Sequence, residues 1–190
     1  MRPLICALAA TLLMIAAPAL AAPAQLALQG LPARAGARLT VTSPAFVENG
    51  AIPFAATAYG ANRFPGLSWT RGPAGTKSYA VVVQDTDPPN PATGPLLHWT
   101  LYNLPAGARS VAAGAVLFPA GSGQSPTLTG RPGYFGPRPP PGPAHHYHFQ
   151  VFALDQVLPL KDGAGFDQLL GAMKGHVLAS GEAVGSYRAR

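Results

Sequence analysis

Cysteine is almost missing from this sequence: the single one is Cys6, inside an N-terminal apolar run. With that run removed no disulfide can form, so a packed core must hold the fold, which a single domain of this length can bury. Charge is scarce as well. Only 11% of residues are charged, 13 Lys and Arg against 7 Asp and Glu, for a net charge of +6. The basic residues stand singly, at Arg34, Arg38, Arg63, Arg71, Lys77, Arg109 and Arg131. They form no run or stripe, which speaks against a nucleic-acid partner. Helical periodicity is confined to Phe166–Met173, so an all-helical fold is excluded. A G-x-S-x-G nucleophile elbow is absent, and so is any internal repeat.

The N-terminus has a recognisable plan. Met1-Arg2 is followed by an apolar run from Leu4 to Ala17 and by Pro18-Ala19-Leu20-Ala21, an A-x-A ending. This reads as a secretory signal peptide cleaved after Ala21 or Ala22. The run is short for a membrane span, which disfavours an uncleaved anchor. The expected organisation is therefore residues 1–22 as signal, 23–37 as a flexible Ala/Gly/Pro-rich leader, and 38–190 as one domain. The mature protein is expected in the periplasm or outside the cell, with no transmembrane span.

Within the domain, Ser78–Gln84 (S-Y-A-V-V-V-Q) is short, β-branched and continuously apolar, as in a strand buried on both faces. The prolines of Asp85-Thr86-Asp87-Pro88-Pro89 end it. Leu96–Tyr102 reads as the next strand, with His98 among apolar neighbours. Near the C-terminus, Phe166, Leu169, Leu170 and Met173 fall at i, i+3, i+4 and i+7 on one helical face, closed by Gly175. His176-Val177-Leu178-Ala179 then leads into a Gly-rich tail that holds Tyr187. Strands with long turns and one late helix predict a mainly β, sandwich-like domain.

Chemistry concentrates between Gly133 and Leu154. Prolines at 137, 139–141 and 143 fix φ, and Gly136 and Gly142 can take angles barred to other residues. The loop is thus a stiff presenter of backbone and side chains. It runs into His145-His146-Tyr147-His148-Phe149-Gln150-Val151. Alternation puts His145 and Tyr147 on the core side with Phe149 and Val151, and His146 and His148 on the other. The three histidines cannot converge on one ion, so no metal is expected. Asp85 and Asp87 at one strand end, His98 in the next strand, and His145 with Tyr147 after the loop would together make a small polar pocket. Its imidazole and phenol donors would suit a phosphoryl or carboxylate group, with carboxylates fixing the imidazole tautomers.

Asp85-Thr86-Asp87-Pro88-Pro89, His98-Trp99, Gly136-Pro137-Arg138-Pro139-Pro140 and His145-His146-Tyr147 resemble the signature of phosphatidylethanolamine-binding proteins. Met173-Lys174-Gly175-His176-Val177-Leu178-Ala179 is similar to their bacterial branch, the Raf kinase inhibitor-like proteins. The likeness covers Leu39 to Arg188. It implies a β-sandwich of antiparallel sheets with one or two short helices near the C-terminus. It also implies an anion pocket for phosphorylated head groups, without a cofactor. By motif the pocket residues would be Asp85, His98, Gly136, Pro137, Arg138, Pro139, His145 and Tyr147, with Asp87 bracing the loop. The family includes kinase modulators and protease inhibitors, so the resemblance adds a protein partner of either class. Two positions depart from the family pattern: residues 121–132 lack the usual Asn-Asp pair, and Arg138 stands where a small residue or Cys is common. The leading expectation is an exported binding protein. The alternatives are a hydrolase using His98 or His145 as general base, and an inhibitor whose stiff loop enters a partner's active site.

Overall fold

The computed structural model describes residues 25–189. The signal peptide expected over residues 1–22, Cys6 included, lies outside them. The described elements, in chain order, are α1 (Ala27–Gly30), β1 (Val41–Thr42), β2 (Gly50–Ala51), β3 (Leu67–Trp69), β4 (Ser78–Asp85), β5 (Leu96–Pro105), β6 (Ser110–Val111), β7 (His145–Leu154), α2 (Phe166–Met173) and β8 (Val177–Tyr187). The large sheet has the order β2-β8-β7-β4-β5, and the small one β1-β3-β6. The architecture is mainly β, as expected. All pairings between these strands are antiparallel except β2 with β8, which is parallel.

The large sheet is covered on both faces, and this explains the unbroken apolar run of β4, all eight of whose residues are buried. One face carries Val81, Val83, Trp99, Phe149 and Val151 against Phe64, Leu67 and Trp69 of the small-sheet side. The other carries Ala80, Val82, Phe152 and Leu154 against Leu169 and Met173 of α2. The helix occupies the residues its stripe predicts, and Gly175 stands after it at φ 78°.

Two expectations are corrected. Residues 25–37 are not a free leader. Leu26, Ala27 and Leu31 are buried, with Ala27 and Leu31 packed on the α2 side of the sheet. The Ala27 and Leu28 amides donate to Gln84 Oε1 (2.8 Å) and Gln150 Oε1 (2.7 Å), two side chains that the sheet otherwise buries in an apolar layer. Arg34 fastens the end of the segment to Asp155 (2.8 Å) and to the Gly175 carbonyl. Nor is the Gly-rich end a tail: it is β8, paired along its length with β7. Its glycines admit neighbours. A Cβ on Gly181 would stand 2.0 Å from the Leu39 carbonyl oxygen, so only glycine lets the chain after the leader lie against the strand. Among the described residues no helix is long and apolar enough to cross a membrane.

Candidate functional site

Strands β4, β5 and β7 are neighbours, so their residues meet at one end of the large sheet. Asp85 pairs in register with Tyr147 on β7 and with Leu96 on β5. The Asp85 carboxylate is 3% exposed and divides its oxygens between two jobs. Oδ1 accepts the Asp87 amide at 2.8 Å, an Asx turn that bends the chain out of β4. Oδ2 accepts from His145 Nδ1 at 2.8 Å and lies 3.9 Å from His98 Nε2. The donor nitrogen of His145 is thereby fixed, and its Nε2 is left for something else. His98 is held from the opposite side: its Nδ1 donates to the Phe135 carbonyl at 2.7 Å, and the Phe135 amide donates back to the His98 carbonyl at 3.1 Å. Its Nε2 has no close partner among the described residues.

Tyr147 lies between the two imidazoles, edge-on to His98 (ring centroids 5.1 Å) and nearly parallel to His145 (6.5 Å). Its hydroxyl is fully buried and has no hydrogen-bond partner among the described residues. Burial and then the Asp85 charge push its pKa well above the usual phenol range, so it remains a donor. Burial pushes the His98 pKa below the ordinary imidazole value, against the opposing pull of the Phe135 carbonyl and Asp85. His98 is accordingly neutral at pH 7, with its Nε2 lone pair directed at the cluster.

The Gly/Pro loop is set over this cluster by residues the sequence did not single out. Asn62, in the left-handed region at φ 52°, accepts the Gly136 amide at 2.7 Å and donates to the Tyr134 carbonyl at 2.9 Å. Tyr59 donates to the Pro139 carbonyl at 2.7 Å, and the Ala58 amide to the Pro137 carbonyl at 3.0 Å. Gly136 does not need a special φ, contrary to expectation; it is glycine because a Cβ would stand 2.2 Å from the Ala56 carbonyl oxygen. Gly142 does take a positive φ, 152°. Gly136, Pro137 and Pro139 are buried, while Arg138 is exposed, its guanidinium 5.9 Å from the Tyr59 ring centre.

The structure therefore brings Asp85, His98, His145 and Tyr147 into one cluster beneath the Gly136–Pro139 loop. Asp87 stands outside it. Its Oδ2 accepts both the amide and Nδ1 of His146, at 2.8 and 3.0 Å, which ties the β4 exit to the start of β7. His148 faces away and pairs with Glu182 at 2.8 Å. Among the described residues no group of three or more His, Cys, Asp and Glu side chains is arranged to hold a metal ion.

A family profile described as "Phosphatidylethanolamine-binding protein" matches residues 42–188. A UPF0098 protein of Methanothermobacter thermautotrophicus is 38% identical over 153 residues, spanning 79% of this chain and 99% of its own. A Mycobacterium tuberculosis protein provisionally named lipoprotein LppC is 40% identical over 134 residues, 70% of this chain and 64% of its own. Among solved structures, the homologue CT736 from Chlamydia trachomatis superposes with a TM-score of 0.74 at 35% identity, covering 80% of this chain and 99% of that one. Escherichia coli YbcL gives 0.74 at 28% identity, covering 81% and 100%.

Proposed function

The chain belongs to the phosphatidylethanolamine-binding protein family, and we propose that it is an exported binding protein whose pocket takes a small phosphoryl or carboxylate group. One observation carries this reading: a fully buried Tyr147 hydroxyl that makes no well-formed hydrogen bond among the described residues, though Asp85 and the Arg138 backbone stand near it, beside two imidazoles each held at one nitrogen. An unpaired buried donor costs about 1–3 kcal/mol; Trp69 Nε1 in the core bears the same cost, but Tyr147 stands among a buried carboxylate and two imidazoles, where a ligand oxygen could relieve it. A ligand oxygen bound there would accept from Tyr147 directly, and from Nε2 of His145 or His98 once that ring, whose Nδ1 proton is already engaged, takes up a second proton. Neutral His98 presents a lone pair, so an anion must arrive with a proton or cause one to be taken up. Arg138, whose fork suits phosphate and keeps its charge, adds attraction at the rim. Export is supported by the N-terminal pattern and by a relative named as a lipoprotein. A protein partner of the kinase or protease class rests on the family alone.

The Asp85–His145 hydrogen bond also favours a second reading, since an imidazole oriented by a carboxylate is what a general base requires. Binding is preferred because, among the described residues, neither imidazole is hydrogen-bonded to a hydroxyl nucleophile. Titration with methyl phosphate and p-nitrophenyl phosphate separates the two. Saturable binding of both, without nitrophenol release and lost in His145→Ala, is expected. Steady turnover lost in His145→Ala establishes the hydrolase instead, and no binding of either probe removes the pocket.

A further inference from the structure

A concavity lies one strand away from the Asp85–His98–His145–Tyr147 cluster. It is a groove of about 1380 Å³ between the Pro141–Ala144 end of the loop, the end of β8 and the segment after β2. Small-molecule sites hold roughly 300–1,000 Å³, so this groove is larger than such a ligand fills. Its walls include Ile52, Phe54, Tyr59, Pro141, Tyr187 and Arg188. Phe54 is 60% and Tyr59 43% exposed, and Tyr59 and Tyr187 approach to 6.4 Å between ring centres. Aromatic rings with arginine are what protein interfaces concentrate.

The charges at this groove are one-sided and held in place. Arg188 Nε donates to the Gly142 carbonyl at 2.7 Å, which pins its guanidinium at the groove wall. Arg138 rests on Tyr59, another wall residue. Among the described residues no Asp or Glu lines the groove. Two cations already ordered, over an aromatic floor, lower the entropic cost of capturing an acidic chain. The concave shape does not fit a flat bilayer, and a second copy of a chain with net charge +6 would bring more repulsion than attraction.

We propose that this groove binds an extended, acidic segment of another protein, with apolar side chains seated on Phe54, Tyr59 and Tyr187 and carboxylates on Arg188 and Arg138. The groove shares Arg138 with the rim of the Asp85–His98–His145 pocket and none of that pocket's inner residues, so Arg188 and Phe54 report on it alone.

The test uses fluorescein-labelled octapeptides alternating glutamate with leucine or phenylalanine, and a twin with lysine in place of glutamate. Anisotropy titration of the full mature chain should show the acidic peptide binding at least tenfold tighter than its twin, less so as salt rises. Phe54→Ser and Arg188→Glu should each weaken it at least fivefold, with Arg188→Gln in between. Their melting curves should be unchanged, because both side chains are exposed. His145→Ala should leave peptide binding intact. Equal affinity for the two peptides, or indifference to both groove substitutions, overturns the proposal. Binding of anionic phosphatidylglycerol vesicles without binding of the acidic peptide overturns it in favour of a lipid surface.

Discussion

Asp85→Asn isolates the electrostatic centre of the Asp85–His98–His145–Tyr147 cluster with almost no change of shape. The Asn oxygen can keep the Asp87 amide bond, because that contact needs only an acceptor. At the second position an NH2 replaces the oxygen that accepts from His145 Nδ1, so two donors then face each other. The lost bond is to a charged acceptor and buried, worth about 1.5–3 kcal/mol, partly offset because a carboxylate no longer has to be desolvated. A net loss of about 2 kcal/mol lowers the melting temperature by about 4–8 °C for a domain of this size. His145 can escape the clash by moving its proton to Nε2, which turns Nδ1 into an acceptor. Nitrogen-15 imidazole spectra at pH 7 should therefore show Nδ1–H in the wild type and Nε2–H in the variant. A melting temperature within about 1 °C of wild type, together with an unchanged His145 tautomer, would refute the reasoning.

Other contacts lead to further expected outcomes. Leu31→Ala should cost about 2 kcal/mol and lower the melting temperature by about 4–8 °C, because Leu31 is 5% exposed against the sheet; no change in a thermal melt would mean the leader is not docked. Gly136→Ala should drive the loop off the Ala56 carbonyl, and crystallography of the variant should show the Gly136–Asn62 bond broken, with methyl phosphate affinity reduced at least tenfold by calorimetry. Arg138→Ala should weaken methyl phosphate binding by about fivefold with the melting curve unchanged, the loss of one exposed cation; tighter binding would instead make Arg138 a gate.

How far the sequence could be read depended on how local each signal was. β4 and α2 were legible because burial on two faces and a single apolar stripe each leave a pattern within a dozen residues. β8 was not, because its glycines look like a flexible tail until the approach of Leu39 explains Gly181. The docking of the leader leaves no local pattern for a related reason: its anchors are Gln84 and Gln150, polar residues 57 and 122 positions away that accept backbone amides. Asp85, His98 and His145 could be singled out because each interrupts or ends an apolar run. Asn62 and Tyr59 could not, since they act on backbone groups of the Gly/Pro loop 74 and 80 positions later, and such contacts leave no pattern in side-chain type.

The pocket reading turns on protons. Burial holds free His98 neutral, and an anion accepting from its Nε2–H would raise its pKa. Affinity should then be greatest below the free His98 pKa, itself under the ordinary imidazole value of about 6.5. It should fall as pH rises through the bound-state pKa, by up to about tenfold per pH unit for one linked proton. Methanesulfonate keeps a constant charge across this range, so its titration reports the protein's protons alone. Calorimetry of methanesulfonate binding in two buffers of different ionisation enthalpy should show net proton uptake, with affinity increasing from pH 8 to pH 5. Identical heats in the two buffers, with affinity flat over that range, would contradict it.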